Sequence, residues 1–231
     1  MPTYNLIFNL CISFVNPILY FNISNLKRHL QKFNGKKIIN ITHSDIVFAK
    51  QFVESNFSEY TDIQFFYTEN TLEVHEIDPF INKLLPTVYS VNEDEYTFYG
   101  NSKGVSRYGD PSKEFVSLLW AYNLYEENLK DFDNICSILK NNACCGCFKI
   151  NKPFTALSFV PWHFSGTFFW FNNKKLFSKN TWKQIFPSRY GVEGYPATHF
   201  SSEEAFCLAY ELPEGMEDIY NLKNWENFYK G

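Results

Sequence analysis

The chain has 231 residues, which suits one large domain able to bury roughly 70% or more of its unfolded surface. Apolar residues make up 45% and charged residues 20%, a globular balance, while 25 Phe, 15 Tyr and 5 Trp raise the aromatic share to 19%. A net charge of -4 argues against a general nucleic-acid binder, which would carry a clustered basic face to displace counterions.

The N-terminal stretch MPTYNLIFNLCISFVNPILYF is apolar, but no Lys or Arg precedes it, and Asn9, Asn16 and Pro17 interrupt it. It therefore falls short of both a secretory leader and a run of about 20 apolar residues able to span a bilayer. It is expected to form a buried first strand and turn in a soluble, cytoplasmic protein without a transmembrane segment. The next segment, ISNLKRHLQKF, spaces Leu26, Leu30 and Phe33 as a helical stripe, and KKIINIT after Gly35 reads as a strand. A second helix is expected over about Asp45 to Ser55 with Val47, Phe48, Phe52 and Val53 inward, followed by the short apolar run IQFFY.

The segment EVHEIDPFINKLLPTVYSV is helix-like, and YTFYGNSKGVSRYG reads as a strand running into a Gly-containing loop. A long helical region from about Ser112 to Lys140 leads to ACCGCFKI, a short buried strand. Strands alternating with helices predict an α/β, single Rossmann-like domain: a mostly parallel central sheet flanked by helices, with ligands at the carboxyl ends of its strands. Residues 1–213 make up this domain. The tail from Glu214 to Gly231, with Tyr220, Leu222, Trp225 and Phe228, is expected to pack on it as a helix.

Six cysteines lie at 11, 136, 144, 145, 147 and 207. Cys144 and Cys147 make one C-x2-C with no second half, so the cluster reads as small buried hydrophobes rather than a zinc site. Acidic groups at Glu93-Asp94-Glu95 read as a solvated turn, and Glu203-Glu204 as the start of a helix capped by Ser201 or Ser202. Dinucleotide, P-loop, nucleophile-elbow and zincin motifs are absent from the sequence.

Two constellations carry chemistry. In YGNSKGVSRY a strand delivers Ser102 and Lys103 to a loop, Gly104 permits close approach of the backbone, and Arg107 follows, together a plausible cradle for a diphosphate. The alternative is a charged surface turn. The second joins PWHFSGTFFWF to SRYGVEG: Trp162, His163, Ser165 and Gly166 beside Arg189, Tyr190 and Glu193 offer rings, a proton carrier and a carboxylate of the kind that sugars bind. The alternative for Trp162, Phe169 and Trp170 is simple core packing, accepted for the last two.

Taken in order, NSKGVSRY, CCGCFKI, WHFSGTFFWF and RYGVEG resemble a family of small proteins assigned as glycosyltransferases in bacterial surface-polysaccharide loci and some large viruses. That family shows a Thr-Lys-Gly-Val-Ser type loop, a Trp-His-Tyr-Ser-Gly-Asn-Phe-Trp-Trp string and Arg-Tyr-x-x-Glu. The resemblance covers about Phe98 to Glu204 and implies a GT-A-like sheet binding a nucleotide-sugar donor, with a glycan or other hydroxyl acceptor. It implies Glu193 as the base, with His163 second; Lys103, Gly104, Ser102 and Arg107 on the donor; and Trp162, Ser165, Gly166, Arg189 and Tyr190 on substrate. The Asp-x-Asp that holds a divalent cation in typical members is replaced by Asn101-Ser102-Lys103-Gly104, so no metal is expected, with Lys103 and Arg107 supplying its charge. Asp45 or the acidic cluster at 93–95 is the fallback cation site. The competing expectation is a non-catalytic carbohydrate-binding protein on a degenerate transferase fold.

Overall fold

The computed structural model describes residues 1–13, 15–71, 76–151, 157–212 and 225. Strand β1 (Thr3–Cys11) leads into helix α1 (Pro17–His29), β2 (Lys37–His43), α2 (Ile46–Phe57) and β3 (Ile63–Glu69). A π-helical turn over Pro79–Leu84 continues into α3 (Leu85–Thr87) and β4 (Glu95–Asn101). Then come α4 (Pro111–Leu129), α5 (Phe132–Asn141), β5 (Cys144–Gly146), β6 (Lys149–Asn151) and β7 (Trp162–Phe164). The remainder is β8 (Phe169–Asn172), α6 (Asn173–Phe177), α7 (Gly191–His199) and β9 (Ala205–Cys207).

Seven strands form one sheet in the order β3-β2-β1-β4-β8-β5-β9, and β6 pairs with β7 in a separate ribbon. All pairings in the large sheet are parallel except those of β8, which runs against both β4 and β5. The fold is thus the expected Rossmann-like α/β class with a mostly parallel sheet. The chain winds outward through β1, β2 and β3, then crosses back to place β4 on the other side of β1. Sheets of this kind bind ligands in the crevice outside the carboxyl ends at such a reversal of strand order, which lies here between β1 and β4. Because β8 is reversed, the turn preceding it arrives at that same edge, with Phe169 opposite Tyr99.

Alternate residues of the inner strands divide two apolar layers. Leu6, Phe8, Leu10, Phe98, Phe168 and Trp170 face one layer with α1, α2, α4 and α5, whereas Ile7, Ile38, Tyr99, Phe169 and Phe171 face the other with the segment around Phe80–Val88, α6 and α7.

Several boundaries differ from the sequence expectation for identifiable reasons. Asn16 and Pro17 do not merely interrupt an apolar run: Asn16 caps α1, accepting from Leu19 N–H at 3.0 Å, and Pro17 occupies the first turn, where its missing N–H costs nothing. The long helical region expected from about Ser112 to Lys140 consists of two helices, because Asp131 caps a new start by accepting from Asn134 N–H. Val47 and Phe48 face outward, and Ala49 and Phe57 join Phe52 and Val53 as the buried stripe of α2. Ser201 and Glu204 close a turn into β9 rather than opening a helix: Glu204 accepts from Ser201 N–H at 2.9 Å. The strand expected over Thr167–Phe171 starts later, since Thr167 lies at φ 63° in the preceding turn. Of the proposed C-terminal helix, only Trp225 falls among the described residues; it is buried, edge-on to Phe148 at 5.6 Å.

Candidate active site

At the carboxyl end of β4 the chain runs Asn101, Ser102, Lys103, Gly104. The loop is stitched to β1: Ser102 Oγ accepts from Cys11 N–H at 2.9 Å, and Ser102 N–H donates to Asn9 O at 3.1 Å. Asn22 of α1 donates to Lys103 O at 3.0 Å, and Asn16 donates to Val105 O at 2.9 Å. With its backbone fixed from three sides, Lys103 projects its ammonium over the Trp120 ring, 3.9 Å from the centroid, a distance at which the ring quadrupole attracts a cation.

Gly104 adopts φ 82°, which only glycine reaches without strain. A Cβ there would stand 2.8 Å from Ser117 Cβ, so the close neighbour that excludes a side chain is helix α4. Gly166, at φ 103°, is likewise pressed against Leu124 and Trp120 of the same helix. Trp120 therefore ties the two loops together, with the Lys103 ammonium on its face and Gly166 near its ring nitrogen.

The turn between β7 and β8 brings Ser165 and Gly166 to this edge, and Glu193, in the first turn of α7, closes it. Glu193 Oε1 accepts from Gly166 N–H at 2.9 Å and lies 4.0 Å from His163 Nε2. His163 is wholly buried, and that burial lowers its pKa below the ordinary histidine value; Glu193 pulls the other way, and Lys103 adds to the lowering. A neutral imidazole is therefore favoured beside the carboxylate.

Other expected residues fall elsewhere. Trp162 is fully buried in the second apolar layer, its indole N–H donating to Phe200 O at 3.1 Å, so neither ring face is open to a sugar. Arg189 is exposed, and its guanidinium lies over the ring of neighbouring Tyr190, 4.9 Å from the centroid. Arg107 ends the short 3₁₀ turn after Gly104 and donates its N–H to Gly104 O at 2.8 Å.

The fallback carboxylates are engaged by protein groups. Asp45 is the cap of α2, accepting from Val47 N–H at 2.7 Å and Phe48 N–H at 3.1 Å. Glu93 pairs with Lys174, and Glu95 accepts from Asn5 at 2.8 Å, at the amino end of β4, on the opposite edge of the sheet. Among the described residues no three His, Cys, Asp or Glu side chains are grouped so as to hold a metal ion. The thiols of Cys144, Cys145 and Cys147 are fully buried in the apolar layers, and that burial raises their pKa values.

One participant escaped the sequence reading. Glu76 sits over the crevice between β1 and β4, where Oε1 accepts from Asn101 Nδ2 at 2.9 Å, Tyr99 O–H approaches Oε2 at 3.5 Å, and the Asn9 side chain also bonds to the carboxylate. Burial raises its pKa, Lys103 and the amide donors oppose the rise, and Glu193 adds to it. Behind it runs a buried polar row. Asn9 Oδ1 accepts from Asn40 at 2.8 Å and Thr42 at 2.9 Å, Thr68 donates to Asn40 at 2.8 Å, and Lys83 donates to Thr68 at 2.7 Å. The signal was present in the sequence as FNL, INIT and YGN, three strand segments each carrying an Asn.

No protein-family model matches the chain, and no curated protein does. Among solved structures it is similar to one described as 4-diphosphocytidyl-2C-methyl-D-erythritol synthase, with 10% sequence identity and a TM-score of 0.34 over 76% of this chain and 78% of that one. Among the described residues, no helix is long and apolar enough to cross a membrane.

Proposed function

We propose that the protein is a glycosyltransferase that moves a sugar from a nucleotide-sugar donor to a hydroxyl acceptor. The observation that carries this reading is Lys103, held by its backbone at the strand-order reversal where such sheets bind ligands, in one cluster with Glu76, His163 and Glu193. Transfer from a nucleotide sugar leaves negative charge on a diphosphate, and a fixed cation facing that charge lowers the barrier most where water is excluded. Lys103 fills this role without a divalent ion, with Arg107 at the end of the same loop as its helper. Ser165 and Gly166 form the wall facing it, and a carboxylate takes the proton of the attacking hydroxyl.

A thermal-shift screen of the purified chain against UDP-, GDP-, CMP- and dTDP-sugars, each with EDTA and with Mn²⁺, tests the reading. One nucleotide class is expected to raise the melting temperature, to do so equally in EDTA, and to lose its effect in Lys103→Ala. At 100 times its dissociation constant a ligand adds about 2.7 kcal/mol, a readily visible shift. No shift with any nucleotide sugar overturns the transferase reading, and a shift seen only with Mn²⁺ overturns metal independence. Binding without donor turnover would favour the non-catalytic carbohydrate binder.

A further inference from the structure

A buried row of amides and hydroxyls is an expensive way to fill the inside of a sheet. Each member must find partners or cost the fold the desolvation of a polar group. In this sheet the row Thr68, Asn40, Asn9 crosses three adjacent strands, is anchored at one end by Lys83, and at the other end delivers its last amide to a single carboxylate, Glu76. Apolar residues would have served packing alone. The row makes sense as a support that fixes one side chain from behind, the arrangement a reacting group requires.

A second, independent observation lies beside it. Asn101 is 8% exposed and gives its Nδ2 to Glu76, yet among the described residues nothing donates to its Oδ1. A buried acceptor left without a donor is costly to the fold, and a hydroxyl is a group that satisfies it. Glu193 is placed differently: its Oε1 holds Gly166 N–H at 2.9 Å and stands 4.0 Å from His163, which ties it to the turn carrying Ser165 and Gly166.

We propose, building on the transferase reading above, that Glu76 is the base that deprotonates the acceptor hydroxyl, while Asn101 Oδ1 accepts from a neighbouring hydroxyl of the same acceptor and Glu193 is a positioning residue. The acceptor is then a molecule with adjacent hydroxyls, such as a sugar. In the step itself the acceptor oxygen forms a bond to the anomeric carbon as its proton passes to the Glu76 carboxylate. The bond from that carbon to the diphosphate oxygen breaks, and its electron pair leaves with the diphosphate, facing Lys103. Glu76 returns the proton to solvent. Among the described residues, the titratable groups around Glu76 are Lys103, Glu193, Tyr99 and Cys11, with His163 behind Glu193.

The test uses whichever nucleotide sugar shifts the wild type, with water and a panel of methyl glycosides as hydroxyl probes. Glu76→Gln should keep the donor-induced thermal shift while kcat/KM falls on the order of 10²–10⁴-fold, the usual contribution of a positioned base. The acid limb of the wild-type pH profile should vanish in Glu76→Gln and persist in Glu193→Gln. Formate should restore part of the rate of Glu76→Ala, which a merely structural brace would not allow. A Glu76→Gln rate within about threefold of wild type, an acid limb surviving in that variant, or loss of its donor shift would overturn the assignment and leave the transferase reading standing. A wild type that binds no nucleotide sugar, or binds one without turnover, overturns that reading and this assignment with it.

Discussion

The two halves of the central sheet solve the problem of burial in opposite ways. Across β3, β2, β1 and β4, Thr68, Asn40, Asn9 and Asn101 are buried polar side chains that answer one another and Glu76. Across β8 and β5, the corresponding interior is Trp170, Phe169, Phe171, Cys144 and Cys145, packed ring to ring and ring to thiol. One half is directional, since a hydrogen bond loses its value when one partner is removed. The other is non-directional and depends on filled volume. The difference shows where the polar row leads: it starts on β3 and ends at the crevice between β1 and β4, where the strand order reverses.

The comparison can be broken most forcefully from the aromatic side. Trp170 is wholly buried, stacked at 5.7 Å on Phe33 and edge-on at 5.0 Å to Phe132, with its N–H on Asn128 O at 2.9 Å. Trp170→Ala should lower the unfolding free energy by about 3–5 kcal/mol, as large aromatic truncations do. The folded fraction should bind ligand as wild type does. Chemical denaturation checks the first expectation. A loss below about 1 kcal/mol would show that the site can collapse and that this half is not close-packed.

On the polar side the effect is smaller and its signature is coupling. Asn9→Leu removes the acceptor of both Asn40 and Thr42 and should cost about 1–3 kcal/mol, the usual penalty for stranded buried donors. Asn40→Leu should cost a similar amount, because Thr68 then lacks its acceptor. The double variant should cost less than the sum of the two, since Asn40 donates to Asn9 and each single change leaves the other residue without that partner. Strict additivity in a denaturation cycle would mean that the row is a string of independent contacts rather than one support for Glu76.

The same contrast explains what could be read in the sequence. Apolar runs and their alternation with helical stripes mark the strands directly, because burial leaves its period in the residue types. The Lys103 loop and the Ser165-Gly166 turn were legible too, as glycine and polar residues breaking apolar strings. Glu76 was not, since it lies in a helix-like stretch, EVHEIDPF, among several charged residues, and only the strand-order reversal brings it over β1 and β4. Trp162 misled for the reverse reason: a tryptophan beside a histidine looks like a sugar platform until the pairing of β6 with β7 turns its ring inward. Gly104 and Gly166 were read as points where a ligand meets the backbone; the structure adds that α4 packs against both, which sequence spacing cannot place.

The smallest effect concerns Asp45, a carboxylate beside the carboxyl edge that competes for two interpretations. As the cap of α2 it satisfies two backbone donors that the helix itself leaves open. Asp45→Ala should therefore cost about 1 kcal/mol, and Asp45→Asn or Asp45→Ser should recover most of it, because the cap requires an accepting oxygen and not a charge. A metal ligand behaves otherwise: asparagine and serine would fail to replace it, and the wild type alone would gain stability from Mn²⁺. Equal melting temperatures for wild type and Asp45→Asn, with and without Mn²⁺, would assign this carboxylate to the helix and leave the crevice's positive charge to Lys103.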